Sequence, residues 1–184
     1  MIKAFQAALF AALVLSACSS ANSRAARERN PAPCPNIVVL DDAARMVDFN
    51  GDQELANVAW SAEIERADLV CRYYGDRPIE ASIEIELAFG RGPAAEEKKR
   101  NFSYFVAVTR TDREVIAKEV FAREVSFDSS EPIKRVKERI DEITIPRADE
   151  SIAGNNFEVV IGLALTREQV IYNRSGKSLK FPEL

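Results

Sequence analysis

The chain has 184 residues, 47% of them apolar and 29% charged, with a formal net charge of −4. That balance suits one well-cored domain and excludes the basic footprint that nucleic acid requires. No histidine is present, which removes the usual general base, the commonest zinc ligand and the Ser-His and Cys-His nucleophile pairs. The composition therefore reads as that of a non-enzyme without metal or cofactor.

Met1-Ile2-Lys3 opens the chain with one positive charge, and residues 4–17 are apolar apart from Gln6 and Ser16. That stretch is too short to span a bilayer, which takes about 20 apolar residues, but it suits the core of a secretion signal. It closes on Leu15-Ser16-Ala17-Cys18, which resembles the lipobox of bacterial lipoproteins. The resemblance implies that residues 1–17 are cut away, that the Cys18 thiol carries a diacylglycerol, and that the new amine is acylated. Small side chains at Ser16 and Ala17 fit the extended chain into a protease cleft. At about 0.8 kcal/mol per buried methylene, three acyl chains would hold the protein to a membrane essentially permanently. For that family, Ser19 rather than Asp after the cysteine implies the outer membrane, periplasmic side, with the inner membrane as the alternative.

Residues 18–33 read as the lipidated N-terminus and a tether. They are rich in Ser, Ala, Asn, Arg and Pro and show no apolar periodicity, so a flexible coil reaching roughly 20 Å on average is expected. Residues 34–184 have the length of a single domain. With Cys18 assigned to lipid, Cys34 and Cys71 are left as a pair, and an oxidising compartment favours a structural disulfide between them.

Along the domain, strand signals dominate. Ile37-Val38-Val39-Leu40 and residues 44–49 are short apolar runs, the second ending at the turn-forming dipeptide Asn50-Gly51. Val58, Trp60, Ala62 and Ile64 alternate, and the parity then shifts to Leu69, Cys71 and Tyr73, which predicts a bulge or a tight turn around Arg66-Ala67. From Ile79 to Phe89 the apolar residues face one way, with Glu80, Ser82, Glu84 and Glu86 on the other. Residues 102–110 and 115–127 form a further strand pair, and 157–165 is a nearly continuous apolar run, hence central. Ile133, Val136, Ile140 and Ile143 have helical spacing, whereas Ile143 and Ile145 alternate; the reading taken is strand over 138–145. Thr166-Arg167-Glu168-Gln169 predicts a capping box that opens a short helix stopped by Ser175-Gly176.

About eight strands joined by short turns predict an all-β antiparallel sandwich, immunoglobulin- or fibronectin-like in architecture, with a short C-terminal helix; a small β-barrel is the alternative. The body also resembles a set of uncharacterised proteobacterial envelope lipoproteins. That likeness rests on Cys34-Pro35, Val39-Leu40-Asp41-Asp42-Ala43, Cys71, Phe105-Val106-Ala107-Val108, Ala117-Lys118-Glu119-Val120-Phe121, Ile161-Gly162-Leu163 and Leu165-Thr166-Arg167-Glu168-Gln169 with Tyr172-Asn173-Arg174. No activity comes with it.

Candidate sites are few. The oxygens of Asp48, Asn50, Asp52 and Glu54 alternate as in a calcium loop, but Gln53 stands where that loop needs Gly and Ala59 where it needs an acid, so a polar turn is expected. The Glu80-Glu84-Glu86 face reads as a solvated sheet surface, and Glu96 to Arg100 as a solvated charge run. Tyr172, Asn173 and Arg174 could present a partner surface, set against the alternative that Val170, Ile171 and Tyr172 plug one end of the core. The expected role is a membrane-anchored binding or scaffolding module engaging an envelope protein, or alternatively a carrier of a small apolar or lipid ligand.

Overall fold

A computed structural model describes residues 32–128 and 130–178. The expected signal, Cys18 and the expected tether up to residue 31 lie outside the described residues. Eight strands form two four-stranded sheets: β1 Asn36–Val39, β2 Arg45–Phe49, β3 Val58–Arg72, β4 Ile79–Arg91, β5 Lys99–Arg110, β6 Val115–Ser126, β7 Ile133–Ile145 and β8 Phe157–Leu163. The first sheet has the order β1-β8-β5-β6 and the second β2-β3-β4-β7. All pairings are antiparallel except β1 with β8. Among the described residues one α-helix, α1 Arg167–Arg174, follows β8. The expected sandwich with its C-terminal helix is what forms. The barrel alternative is not: β1, β6, β2 and β7 each end a sheet, so neither sheet closes on itself or on the other.

The core follows from alternation. On β4, Ile79, Ala81, Ile83, Ile85, Leu87 and Phe89 are all buried, and they face Phe157, Val159 and Ile161 of β8, which are equally inaccessible. β8 lies between β1 and β5, so both its edges are paired, as its continuous apolar run requires. One end of the sandwich is aromatic. Phe89 and Phe102 lie 4.5 Å apart between ring centroids, and Trp60 and Phe127 5.6 Å apart, a spacing that adds to simple area burial.

Two bulges explain the irregular patterns. In β3 the register shifts between Ile64 and Arg66, so that Trp60, Ala62 and Ile64 face the core before it, and Ala67, Leu69 and Cys71 after it. In β7 the partner register shifts between Ala81 and Ile83, opposite Ile143 and Ile140. That bulge turns both isoleucines inward although they stand three apart, which produced the helix-like spacing; the whole of Ile133–Ile145 is strand. The Asn50-Gly51 signal marks a turn with a positive φ at Gly51, but the connection runs over 50–57 and includes a 3-10 turn at Leu55–Asn57, so it is not a two-residue hairpin.

Candidate functional site

The first described residues, at the start of the domain, are held to it by two ties. Cys71 projects inward from β3 and is almost fully buried; it forms a disulfide with Cys34, whose Cα lies 5.6 Å away. Two residues on, with the same inward parity, the Tyr73 hydroxyl donates to the Pro33 carbonyl at 2.6 Å and accepts the buried Gly154 N–H at 2.7 Å. Arg147 lies over the Tyr73 ring at 5.2 Å. One side chain therefore ties the entering chain to the loop before β8, beside the covalent link to β3. Gly154 has to be glycine here, since a Cβ would sit 2.6 Å from the Pro33 carbonyl and from Pro35.

At the opposite end, α1 begins with the expected capping box: Thr166 Oγ1 accepts the Gln169 N–H and Gln169 Oε1 accepts the Thr166 N–H. Tyr172, Asn173 and Arg174 all engage the domain itself. Asn173 Nδ2 donates to the carbonyls of Asp42 and Arg45 at 2.9 and 2.7 Å, while its Oδ1 is buried with no hydrogen-bond partner among the described residues. Arg174 Nε donates to Asp42 at 2.7 Å, which raises the guanidinium pKa further. The Tyr172 ring meets Phe49 edge-on at 5.4 Å, and its hydroxyl donates to the Lys177 carbonyl. The triplet thus docks α1 along the edge strand β2. Ile171 is 57% exposed and plugs nothing.

Asp48, first in the calcium-like run, accepts from both Arg100 and Gln169. It links β2, β5 and α1 rather than facing a cation site. Arg100 also lies over the Trp60 ring at 5.9 Å, beside a shallow cleft of about 410 Å3 rimmed by Glu96 and Glu97. Among the described residues, no group of three or more Cys, Asp or Glu side chains is placed to hold a metal. The glutamate face of β4 is paired with β7: Lys137 bridges Glu84 at 3.4 Å and Glu86 at 2.7 Å.

The remaining side of the sandwich, between β6 and β7, is open. A cleft of about 220 Å3 there is floored by Val106, Val108, Phe121, Ile140 and Ile143. Beside it Arg123 of β6 reaches across to Glu138 of β7 at 3.3 Å, closing the gap above Tyr104. Burial, and then the Glu138 charge, push the Tyr104 phenol up to about 12.

Comparison with known proteins returns no match. No family model, curated protein or solved structure matches the chain. Function must therefore be argued from the residues. Of the sites found, Cys34 and Cys71 were legible in sequence; the Tyr73 clamp was not, because Pro33 and Gly154 carry no signal of where their backbone groups point.

Proposed function

We propose that this chain is a lipid-anchored protein of the bacterial cell envelope, held through Cys18 to the outer membrane and presenting a non-enzymatic binding or scaffolding sandwich to the periplasm. The observation that carries this reading is the sequence Leu15-Ser16-Ala17-Cys18 behind a charged start and a short apolar run. Removal of residues 1–17 takes away one lysine and no acid, leaving the exported protein at −5.

The architecture supports such a role mechanically. A load arriving along the tether at residue 33 would be transferred to β3 through the Cys34–Cys71 bond and to the 153–154 loop through Tyr73. Without these ties it would peel β1, a four-residue strand, from the edge of its sheet. The Cys34–Cys71 disulfide also suits an oxidising compartment. Several of the less exposed charged side chains of the strands are engaged structurally, Glu63 with Arg45, Asp48 with Arg100 and Glu138 with Arg123, which suits a rigid module better than acid–base chemistry.

The test is cross-linking of the full chain in its native envelope, followed by fractionation and identification of the adducts. Recovery of a reproducible envelope-protein adduct from the outer-membrane fraction is expected. Wild-type and Cys18→Ala chains distributing alike in fractionation, with neither incorporating fatty acid, would overturn the anchoring; unadducted chain alone would overturn the scaffolding role.

A further inference from the structure

The two open sides of the sandwich are treated differently. Along β2 the edge is covered by α1, with Asn173 donating to the Arg45 carbonyl, one of the standard ways of protecting an edge strand. On the other side, β6 pairs with β5 alone and, among the described residues, has no strand beside its second edge. Its outward-facing Val120 is 58% exposed, and Val115 at its start 59%.

The backbone phase of that free edge can be worked out. Phe127 N–H donates to the Lys98 carbonyl, and the register between β5 and β6 is unbroken from Lys99↔Ser126 to Val108↔Ala117. In an antiparallel ladder, successive residues point their N–H and C=O groups to opposite edges. The odd residues 117–125 therefore bond to β5. Lys118, Val120, Ala122 and Glu124 turn theirs to the free edge.

The side chains supply a register. Lys118-Glu119-Val120-Phe121-Ala122-Arg123-Glu124 reverses sign about Phe121. We infer that two copies of this chain pair antiparallel through β6, with the two-fold axis at Phe121. Lys118 then stands opposite the second copy's Glu124, Glu119 opposite its Arg123, and Val120 opposite its Ala122. Every hydrogen-bonded pair matches even residue with even residue, as the backbone phase demands. Centring the axis on Val120 or Ala122 instead leaves Lys118 and Glu119 opposite uncharged residues. Centring it on Glu119 or Arg123 sets like charges face to face.

The existing contacts leave room for most of these pairs; Arg123 already reaches Glu138 of its own chain at 3.3 Å and would serve both carboxylates from its half-exposed guanidinium. Among the described residues neither Lys118 nor Glu119 has an ion pair; Lys118 lies over the Phe105 ring at 4.3 Å. Glu124 is 3.7 Å from Lys99 with both well exposed, and its carboxylate can accept a second cation. Inward charges such as Glu119 and Arg123 ordinarily block edge pairing. Here their order admits a second copy in one register and leaves a foreign or shifted strand with unpaired charges. The interface does not depend on the anchor at Cys18, although tethering both copies to one membrane would raise their effective concentration.

Zero-length carbodiimide coupling of the full chain, in whichever cell fraction holds it, tests the pairing. A Lys118–Glu124 adduct found by mass spectrometry must be intermolecular, because six residues of extended strand separate the two by about 20 Å within one chain. Lys118→Glu and Glu124→Lys should each weaken the dimer about 30-fold, since each turns two attractive cross-strand pairs into repulsive ones. The combined variant should restore both dimer and folding signal to wild type. A monomeric chain without the adduct, single swaps that leave the dimer intact, or coupling of Lys118 to a different protein would each overturn the inference.

Discussion

Replacing Tyr73 by Phe removes one hydroxyl and nothing else, so the clamp on Pro33 and Gly154 can be tested without disturbing the core. Tyr73 is 5% exposed, and its hydroxyl accepts the buried Gly154 N–H at 2.7 Å while donating to Pro33 at 2.6 Å. The two losses are unequal. Pro33 is exposed, so its carbonyl can exchange the lost partner for water at little cost. The Gly154 N–H sits in the packed corner between Pro33 and Pro35 and is left without an acceptor, at a cost of about 2 kcal/mol. With a urea slope of about 2 kcal/mol/M, usual for a domain of this size, the midpoint should fall by about 1 M at unchanged slope. Tyr74→Phe is the matched control, because Tyr74 is 40% exposed and its midpoint should not move. Urea unfolding of the oxidised full chain decides the matter: equal midpoints for Tyr73→Phe and wild type would refute the clamp.

Three further outcomes are expected. Gly92→Ala should destabilise by about 3 kcal/mol, because a Cβ there would lie 2.1 Å from the Val58 carbonyl oxygen, and backbone cannot rotate away as a side chain can; thermal unfolding reads this out. Asn173→Asp would set a carboxylate against the Asp42 and Arg45 carbonyls that Asn173 Nδ2 now serves, loosening α1 from β2 by about 2 kcal/mol, visible as faster amide exchange in residues 167–174. Tyr104 titrates at about 12 in the folded chain against 10.0 in the open, so between those values the unfolded state has lost a proton that the native state keeps. Stability should therefore fall as pH rises from 10 towards 12, and Tyr104→Phe should flatten that limb of the urea-midpoint profile.

Much of the fold was legible because period 2 is a strong signal wherever one face is dry. β4 is the clearest case, with Ile79 to Phe89 inward and the glutamates outward. The parity slip after Ile64 announced a bulge one or two residues from where it occurs. The Thr166–Gln169 box announced both partners of the cap. β7 was only half legible, since its bulge and its inward Glu138 imitate helical spacing. Pairing order could not be read at all: alternation fixes which face of a strand is dry, not which strand lies beside it. For the same reason Tyr172, Asn173 and Arg174 looked like a surface in sequence, although Asn173 serves the backbone of β2, more than a hundred residues earlier. The charge reversal about Phe121 is visible in sequence too, but it acquires meaning only once β6 is known to be an edge with its even residues turned outward.

Cys34 and Cys71 brace the domain, and Cys18 is the cysteine on which the proposed role depends. Mass spectrometry of the N-terminal peptide of the chain isolated from membranes tests that role most directly. The account predicts a peptide beginning at Cys18, carrying a thioether-linked diacylglycerol and an acylated amine. An intact residue 1–17 segment, or a peptide with an unmodified Cys18, would contradict it.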